Sequence, residues 1–125
     1  MTNDKTFFAR DLQTGAIVAD RVTVASKRLE RAVGLLGRSH LDAGEALWIR
    51  PCRGVHTWFM RFPIDVLAMD ANGMVVDVVS AMGPWRMRLP RPGSDSVLEL
   101  AAGALEKMQL KIGHQIKIEE REKRM

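Results

Sequence analysis

Only one cysteine, Cys52, occurs in the 125 residues of this sequence. A single thiol excludes an internal disulfide, and a cysteine-based zinc site needs several thiolates at short spacing. A reducing compartment is therefore the simpler expectation. Residues 1–15 lack the apolar core of a signal peptide, and no apolar run approaches membrane-spanning length. We expect a cytoplasmic protein that has no membrane partner.

The short motifs of common nucleotide enzymes and hydrolases are also missing. The sequence contains no Walker loop, dinucleotide fingerprint or nucleophile elbow. A metal site could draw on His56, Asp65, His40 or His114, but no motif places three of these ligands at a recognisable spacing. We therefore expect no metal and no cofactor, and ordinary exposed side chains at His40 and His114.

The composition is that of an ordinary globular domain, with 46% apolar and 27% charged residues. A chain of 125 residues is the size of one domain, so we predict a single domain over residues 1–125 with a frayed polar N-terminus and a frayed charged tail. The net charge of +4 raises the chance of an anionic partner. A solvated basic surface is the more common reason for such a balance.

Helical periodicity is clearest between Ser26 and Leu36. Apolar residues recur there at i, i+3, i+4 and i+7, namely Leu29, Ala32, Val33 and Leu36. Ser26 can cap the first amides of this main helix, and Gly37 can end it. A short second helix is predicted over Ala104 to Leu110.

β-branched and apolar runs bounded by turn residues predict several short strands. These runs are Ile17–Val24, Ala46–Ile49, Asp65–Met69, Met74–Val79, Val97–Ala101 and Gln115–Glu119. Asn72 and Gly73 predict a hairpin between the third and fourth runs, whereas the Pro- and Gly-rich segment Ala81–Ser96 predicts irregular structure. The fold class is therefore α+β: a mainly antiparallel, strongly curved sheet or partly open β-barrel closed at one end by the main helix.

Three segments of the sequence resemble a widespread microbial family, domain of unknown function 192. They are Gly-Leu-Leu-Gly-Arg at 34–38, the run from His-Thr at 56–57 through Met-Arg-Phe-Pro-Ile-Asp at 60–65, and Val-Leu-Glu-Leu-Ala-Ala-Gly at 97–103. The resemblance implies a compact, β-rich, barrel-like fold and supplies no catalytic residue, substrate or cofactor. Where the family usually has Gly-Asp before the final strand, this chain has Gly113 and His114.

Two carboxylates, Asp65 and Glu99, each stand in an apolar run that predicts an interior strand. A buried carboxylate must find a cationic or hydrogen-bonding partner, reach water or take up a proton. Arg61 and His56 are the candidate partners. A buried structural clamp is one interpretation, and a cleft in which these groups converge is the other.

The cleft interpretation predicts a polar, aromatic-walled ligand site. Its predicted ligand-binding residues are His56, Trp58, Arg61, Asp65, Trp85, Arg86 and Glu99. Arginine outnumbers lysine around this region, at Arg50, Arg53, Arg61, Arg86, Arg88 and Arg91. Because the guanidinium fork suits carboxylates and phosphates, we predict an anionic or sugar-like, polyhydroxylated small molecule as the partner.

Two other functions remain open at this point. One is a hydrolase-like enzyme that uses His56 with Asp65 or Glu99 as acid and base. The other is a nucleic-acid-binding regulator, less favoured, in which Arg86, Arg88 and Arg91 contact phosphates; these three lie on the irregular segment. A Cys52–His56 nucleophile is disfavoured, because four residues of extended chain separate two side chains by about 13 Å.

Overall fold

The computed structural model describes residues 6–52, 54–89 and 91–121. The predicted frayed ends fall largely on residues 1–5 and 122–125, which lie outside the described residues, as does Arg53. No described helix is long and apolar enough to cross a membrane.

Strands dominate the described chain. In chain order the elements are β1 Phe7–Asp11, β2 Ile17–Ala25, α1 Arg28–Val33, β3 Glu45–Ile49, β4 Val55–His56, β5 Ile64–Met69, β6 Val75–Met82, β7 Met87–Arg88, β8 Ser96–Ala101, α2 Ala104–Met108 and β9 Ile116–Glu120.

Seven of these strands form one strongly curled sheet in the order β6-β5-β8-β3-β2-β1-β9. Its pairs are antiparallel except at the centre, where β2 and β3 run parallel. The expectation of a mainly antiparallel sheet is therefore matched only in part: the β2–β3 pair makes the sheet mixed, and the sheet forms a half-barrel. A parallel pair needs a crossover connection, and the segment that carries α1 supplies it.

The curl brings the two ends of the strand order together. The amide of Val75, at the start of β6, donates to the carbonyl of His114 at 2.8 Å, and the amide of Ile116 donates to the carbonyl of Gly73 at 2.8 Å. An isolated bridge pairs Met74 with Gln115 beside these bonds. One end of the half-barrel is thus closed through the hairpin turn.

Gly73 is predicted to be hard to replace at this closure. It has φ +83°, and an added Cβ would collide with the backbone carbonyl of Ile116. We expect Gly73→Ala to lower the free energy of unfolding by about 2 to 3 kcal/mol, from left-handed strain plus the clash. Gly113→Ala is the matched control: its φ is +97° but a Cβ there would meet no atom within 4 Å, so only the strain of about 1 kcal/mol applies. Equal losses in urea unfolding would contradict the clash.

Both helices are shorter than predicted. The main helix was expected over Ser26 to Leu36 but spans Arg28–Val33, because Gly34 adopts φ +51° and ends it before Gly37. Ser26 does not cap it; instead the carboxylate of Glu30 accepts from the amides of Ser26 and Lys27 at 3.2 and 3.0 Å. The second helix was expected to reach Leu110, but it is one turn that stops at Met108 because Gln109 has φ +53°.

The β5–β6 hairpin and the strands β8 and β9 form where the sequence predicts them, and Pro63 lies in the bend before β5. Three strands were not predicted: β1, β4 and β7. β1 lies near the N-terminus, where no strand was predicted, and pairs with β2 and β9. β7 lies within the segment that we expected to be irregular, and pairs with β4 in a separate two-stranded ribbon.

Side chains from the two faces of the central strands pack into two different core clusters. Leu67 and Met69 of β5 join Leu98 and Leu100 of β8 in the first cluster. Ile64, Val66, Ala68 and Val97 belong to the second, which packs under the segment after α1 and under the β4 region. Because side chains alternate, Asp65 lies on the face of the first cluster and Glu99 on the face of the second.

Candidate functional site

A cleft of about 600 Å³ opens beside the second core cluster. One side is formed by α1 and the residues that follow it, and the other by the end of β3 and by residues of the segment 51–60. Glu99 of β8 is its acidic residue. The cleft therefore lies where the parallel crossover passes over the sheet.

The Glu99 carboxyl is the most unusual group in this cleft. Glu99 is only 4% exposed, and no described residue donates a hydrogen bond to its carboxyl or forms an ion pair with it. Burial raises the pKa of Glu99 to about 7, because the charged form loses its hydration and gains no compensating contact. The carboxyl can therefore either donate or accept a proton near neutral pH.

An aromatic pair forms one wall of the cleft. The rings of His56 and Trp58 stack with centroids 4.7 Å apart and an interplanar angle of 28°. Trp58 remains 43% exposed, so much of its ring is available to a further contact. Such a ring can pack against the apolar face of a ligand.

Two arginines of α1, Arg28 and Arg31, also line the cleft. Nη1 of Arg31 donates to the carbonyl of Pro51 at 3.0 Å, which ties the helix to the opposite wall. Nε of Arg31 is buried and has no hydrogen-bond partner among the described residues. These side chains add positive charge to the lining of the cleft.

Cys52 shares the cleft with His56, but its thiol is not prepared as a nucleophile. Its Sγ–H donates to the carbonyl of Gly54 at 3.1 Å. Burial, together with the nearby Glu99 carboxylate, raises the pKa of Cys52 to about 11 against an opposing effect of Arg31. The thiolate is therefore scarce at neutral pH, and a Cys52–His56 nucleophile stays disfavoured.

Slow alkylation is the result expected for Cys52. At neutral pH its thiolate fraction is about a hundredfold below that of an ordinary cysteine, so the native protein should react with iodoacetamide at least about a hundredfold more slowly than free cysteine. Mass spectrometry of timed samples measures this rate. The same protein in denaturant should react at the ordinary rate, and rapid modification of the native state would contradict the protonated thiol.

Asp65 does not reach the cleft. It is fully buried on the opposite face of the sheet, where its carboxylate accepts from the amide of Ala81 at 2.7 Å and from the amide of Leu105 at 2.9 Å. The interpretation as a structural clamp therefore fits Asp65, although backbone amides take the place of the predicted Arg61 or His56.

Arg61, Trp85 and Arg86 are exposed and do not line the cleft. Trp85 and Arg86 are held instead by Thr57, which is completely buried. The amide of Trp85 donates to the carbonyl of Thr57 at 3.0 Å, and the amide of Arg86 donates to Oγ1 of Thr57 at 2.9 Å. Of the seven predicted ligand residues, the cleft thus brings together His56, Trp58 and Glu99.

Two of the three arginines predicted to contact nucleic acid are already paired. Arg88 donates to both carboxylate oxygens of Asp77 at 2.9 Å, and Nε of Arg91 lies 3.6 Å from the same carboxylate. The Arg88 guanidinium, with Arg91 nearby, lowers the pKa of Asp77 against the effect of burial. This pairing reduces the charge that the segment offers to phosphates, which weighs against the nucleic-acid alternative.

The two histidines expected to be exposed behave differently. His40 is exposed and lies 3.0 Å from Asp42. His114 is largely buried, with Nδ1 2.9 Å from the carboxylate of buried Asp11. The expectation for His114 was therefore wrong: this histidine contacts the carboxylate of a residue in another strand.

Sequence reasoning missed Arg28, Arg31 and Cys52 as residues of the cleft. The two arginines look like the solvated side of an amphipathic helix, and only the position of α1 over the sheet reveals their role. No three histidine, cysteine or carboxylate residues of the described ranges are grouped so as to hold a metal ion.

The fold and the cleft define a small α+β domain built on a curled mixed sheet. The chain belongs to the DUF192 family, described as uncharacterized ACR, whose pattern matches residues 10–118. It is 29% identical over 115 residues to a UPF0127 protein of Thermococcus sibiricus, an alignment that covers 88% of this chain and 73% of the relative. It is 31% identical over 101 residues to a UPF0127 protein of Pyrococcus horikoshii, which covers 77% of this chain and 85% of the relative.

A solved structure supports the fold assignment. A protein of unknown function from Novosphingobium aromaticivorans superimposes with a TM-score of 0.77, over 90% of this chain and 83% of that one. The two sequences are 17% identical, so the likeness shows the fold alone. The fold that the family resemblance implied is thus confirmed in its coarse form, as a curled, barrel-like sheet.

Proposed function

We propose that this protein is a binding module that takes an anionic or polyhydroxylated small molecule into the cleft at Glu99. The observation that carries the proposal is the buried Glu99 carboxyl without a hydrogen-bond partner among the described residues. Leaving such a group unsatisfied costs free energy in the unliganded protein. A ligand that bonds to it recovers part of that free energy on binding.

The other groups of the cleft support this ligand class. Arg28 and Arg31 attract carboxylate or phosphate oxygens, and the exposed ring of Trp58 suits the C–H face of a sugar. Glu99 accepts a hydrogen bond from a hydroxyl when it is ionised and donates one to an anionic oxygen when it is protonated. Both ligand types therefore find partners near neutral pH.

The hydrolase-like alternative is supported by a narrower observation. Glu99, whose pKa lies near the working pH, shares the cleft with His56, and this is the combination that acid–base catalysis uses. Asp65 lies on the other face of the sheet and drops out of this alternative. Turnover of a bound ester or glycoside, lost in both Glu99→Gln and His56→Ala, would favour an enzyme.

Titration calorimetry with monosaccharides, phosphate esters and short carboxylic acids tests the proposal. One class should bind, Trp58→Ala should weaken it by about tenfold or more, and Glu99→Gln should remove the pH dependence of affinity near neutrality. Trp85→Ala is the matched control, since this exposed tryptophan lies outside the cleft. The proposal fails if no class binds, or if Trp58→Ala binds the ligand as tightly as the wild type.

A further inference from the structure

Large apolar side chains project into solvent from the loop before β5 and from the segment around β7, and none of them lines the cleft. Phe59 is 68% exposed, Trp85 62%, Met87 61% and Leu89 71%. Phe59 and Trp85 contact each other across the loops, with ring centroids 4.6 Å apart and an interplanar angle of 58°. We call Phe59, Trp85, Met87 and Leu89 the aromatic tip. Exposure of several large apolar groups together marks an interaction surface.

The backbone of the aromatic tip is strained at both aromatic residues. Phe59 has φ +67° and Trp85 has φ +62°, in the left-handed region that bulky residues rarely adopt. Such a conformation costs free energy and persists only where surrounding contacts impose it. Thr57 imposes it here, because its carbonyl accepts from the amides of both Met60 and Trp85. The hydrogen bonds to buried Thr57 thus hold the rings of Phe59 and Trp85 in their exposed positions.

Charge at the aromatic tip is positive. Arg61 and Arg86 flank the two rings in sequence, are exposed, and form no ion pair with any residue in the described ranges. Arg88 and Arg91, in contrast, are paired with Asp77. The charge that complements the unpaired arginines is anionic.

We propose that the aromatic tip binds the surface of an anionic lipid bilayer, with Phe59 and Trp85 entering the interface and Arg61 and Arg86 contacting the headgroups. Side chains that project with more than half of their surface exposed suit a fluid medium, which needs no matching pocket. Tryptophan is favoured at the level of the headgroups, and arginine binds anionic lipid.

This contact needs no spanning segment, so it agrees with the lack of a spanning helix in the described ranges. It revises the expectation of no membrane partner, which considered only segments that cross the bilayer. It is also independent of the cleft, because it uses different residues and a different partner.

Co-sedimentation with vesicles tests the proposal. Wild-type protein should bind vesicles of equal phosphatidylglycerol and phosphatidylcholine and bind pure phosphatidylcholine much more weakly. The variant Phe59→Asn/Trp85→Asn should lower the partition coefficient by about a hundredfold, because each of the two large apolar side chains that leave water contributes about tenfold. Asparagine tolerates the left-handed backbone, so this variant keeps the loop conformation.

Ile112→Asn is the matched control. Ile112 is 63% exposed and lies beside the hairpin turn, at the opposite end of the β5–β6 hairpin from the aromatic tip. The Ile112→Asn change should alter vesicle binding by less than about twofold, because Ile112 does not enter the interface.

A fluorescence measurement tests the position of Trp85 directly. Quenching of tryptophan fluorescence by brominated lipid should be weaker in Trp85→Phe than in the wild type.

Three results would overturn the proposal: no sedimentation with anionic vesicles at low salt, equal losses in the tip and control variants, or undiminished quenching in Trp85→Phe. If vesicles do not bind but the tip variant loses co-elution with a protein of the producing cells, the surface serves a protein partner instead. A cleft ligand removed by Trp58→Ala would still support the proposed function after any of these outcomes.

Discussion

Glu99→Gln is expected to raise the free energy of unfolding by about 3 kcal/mol near pH 8 and by almost nothing near pH 4. The pKa of Glu99 is raised to about 7 in the folded protein, whereas an unfolded glutamate has a pKa of about 4.3. Above pH 7 the folded state must keep a charge in a buried place, and each pKa unit costs about 1.4 kcal/mol. Glutamine has nearly the same shape but carries no charge, so the variant avoids this cost.

The sign of the pH dependence follows from which state binds more protons. Between about pH 4.3 and pH 7 the folded state holds the Glu99 proton and the unfolded state has lost it, so stability falls as the pH rises through this window. Urea unfolding of both proteins across this range measures the difference. Glu106→Gln is the control, since Glu106 is exposed on α2 and should leave the profile unchanged. Parallel profiles for wild type and Glu99→Gln would contradict the raised pKa.

Asp65→Asn is expected to lower the free energy of unfolding by about 3 to 5 kcal/mol. Both carboxylate oxygens accept backbone amides, from Ala81 and from Leu105, in a fully buried place. Asparagine keeps one acceptor and turns an N–H₂ group toward the second amide, so one buried donor loses its partner. A loss of this size is a large fraction of the stability of a small domain.

Asp70→Asn provides the matched control for Asp65→Asn. Oδ1 of Asp70 accepts two backbone amides, from Asn72 and Met74, both at 2.9 Å. The side-chain oxygen of asparagine can keep both bonds, and this turn is open to water, so we expect a loss below about 1 kcal/mol. Urea unfolding measures both losses. Similar losses of free energy of unfolding in the two variants would contradict the argument that the buried pair of amide bonds at Asp65 makes its replacement more costly.

The elements that the sequence predicts best are those whose signal is local. Asn72 and Gly73 predict the hairpin because the turn needs left-handed backbone, and Gly73 has φ +83°. The alternation around Ile116 and Ile118 predicts β9 because one face of that strand packs inward. β1 was not predicted because Arg10 and Asp11 interrupt its apolar pattern, although the strand lies between β2 and β9 in the sheet.

The candidate site depends on non-local register, which the sequence does not display. Asp65 and Glu99 look alike in the sequence, since each interrupts an apolar run. In the sheet, Asp65 pairs with Leu100 and Val66 pairs with Glu99, so the two carboxylates point to opposite faces. A pairing shifted by one residue would have placed them together, and no local pattern distinguishes the two registers.

The strand order also governs how the chain can fold. Phe7 pairs with Glu120, and β3 pairs with β8 across more than forty residues of intervening chain. Contacts between such distant segments require closure of long loops before they gain any stabilising energy, which is the property of a high contact order. We therefore expect folding on a timescale of about milliseconds to seconds. During synthesis, β1 and β2 leave the ribosome before β9 has been made. The edge of β1 that pairs with β9 therefore stays unpaired until residue 120 has been added to the chain.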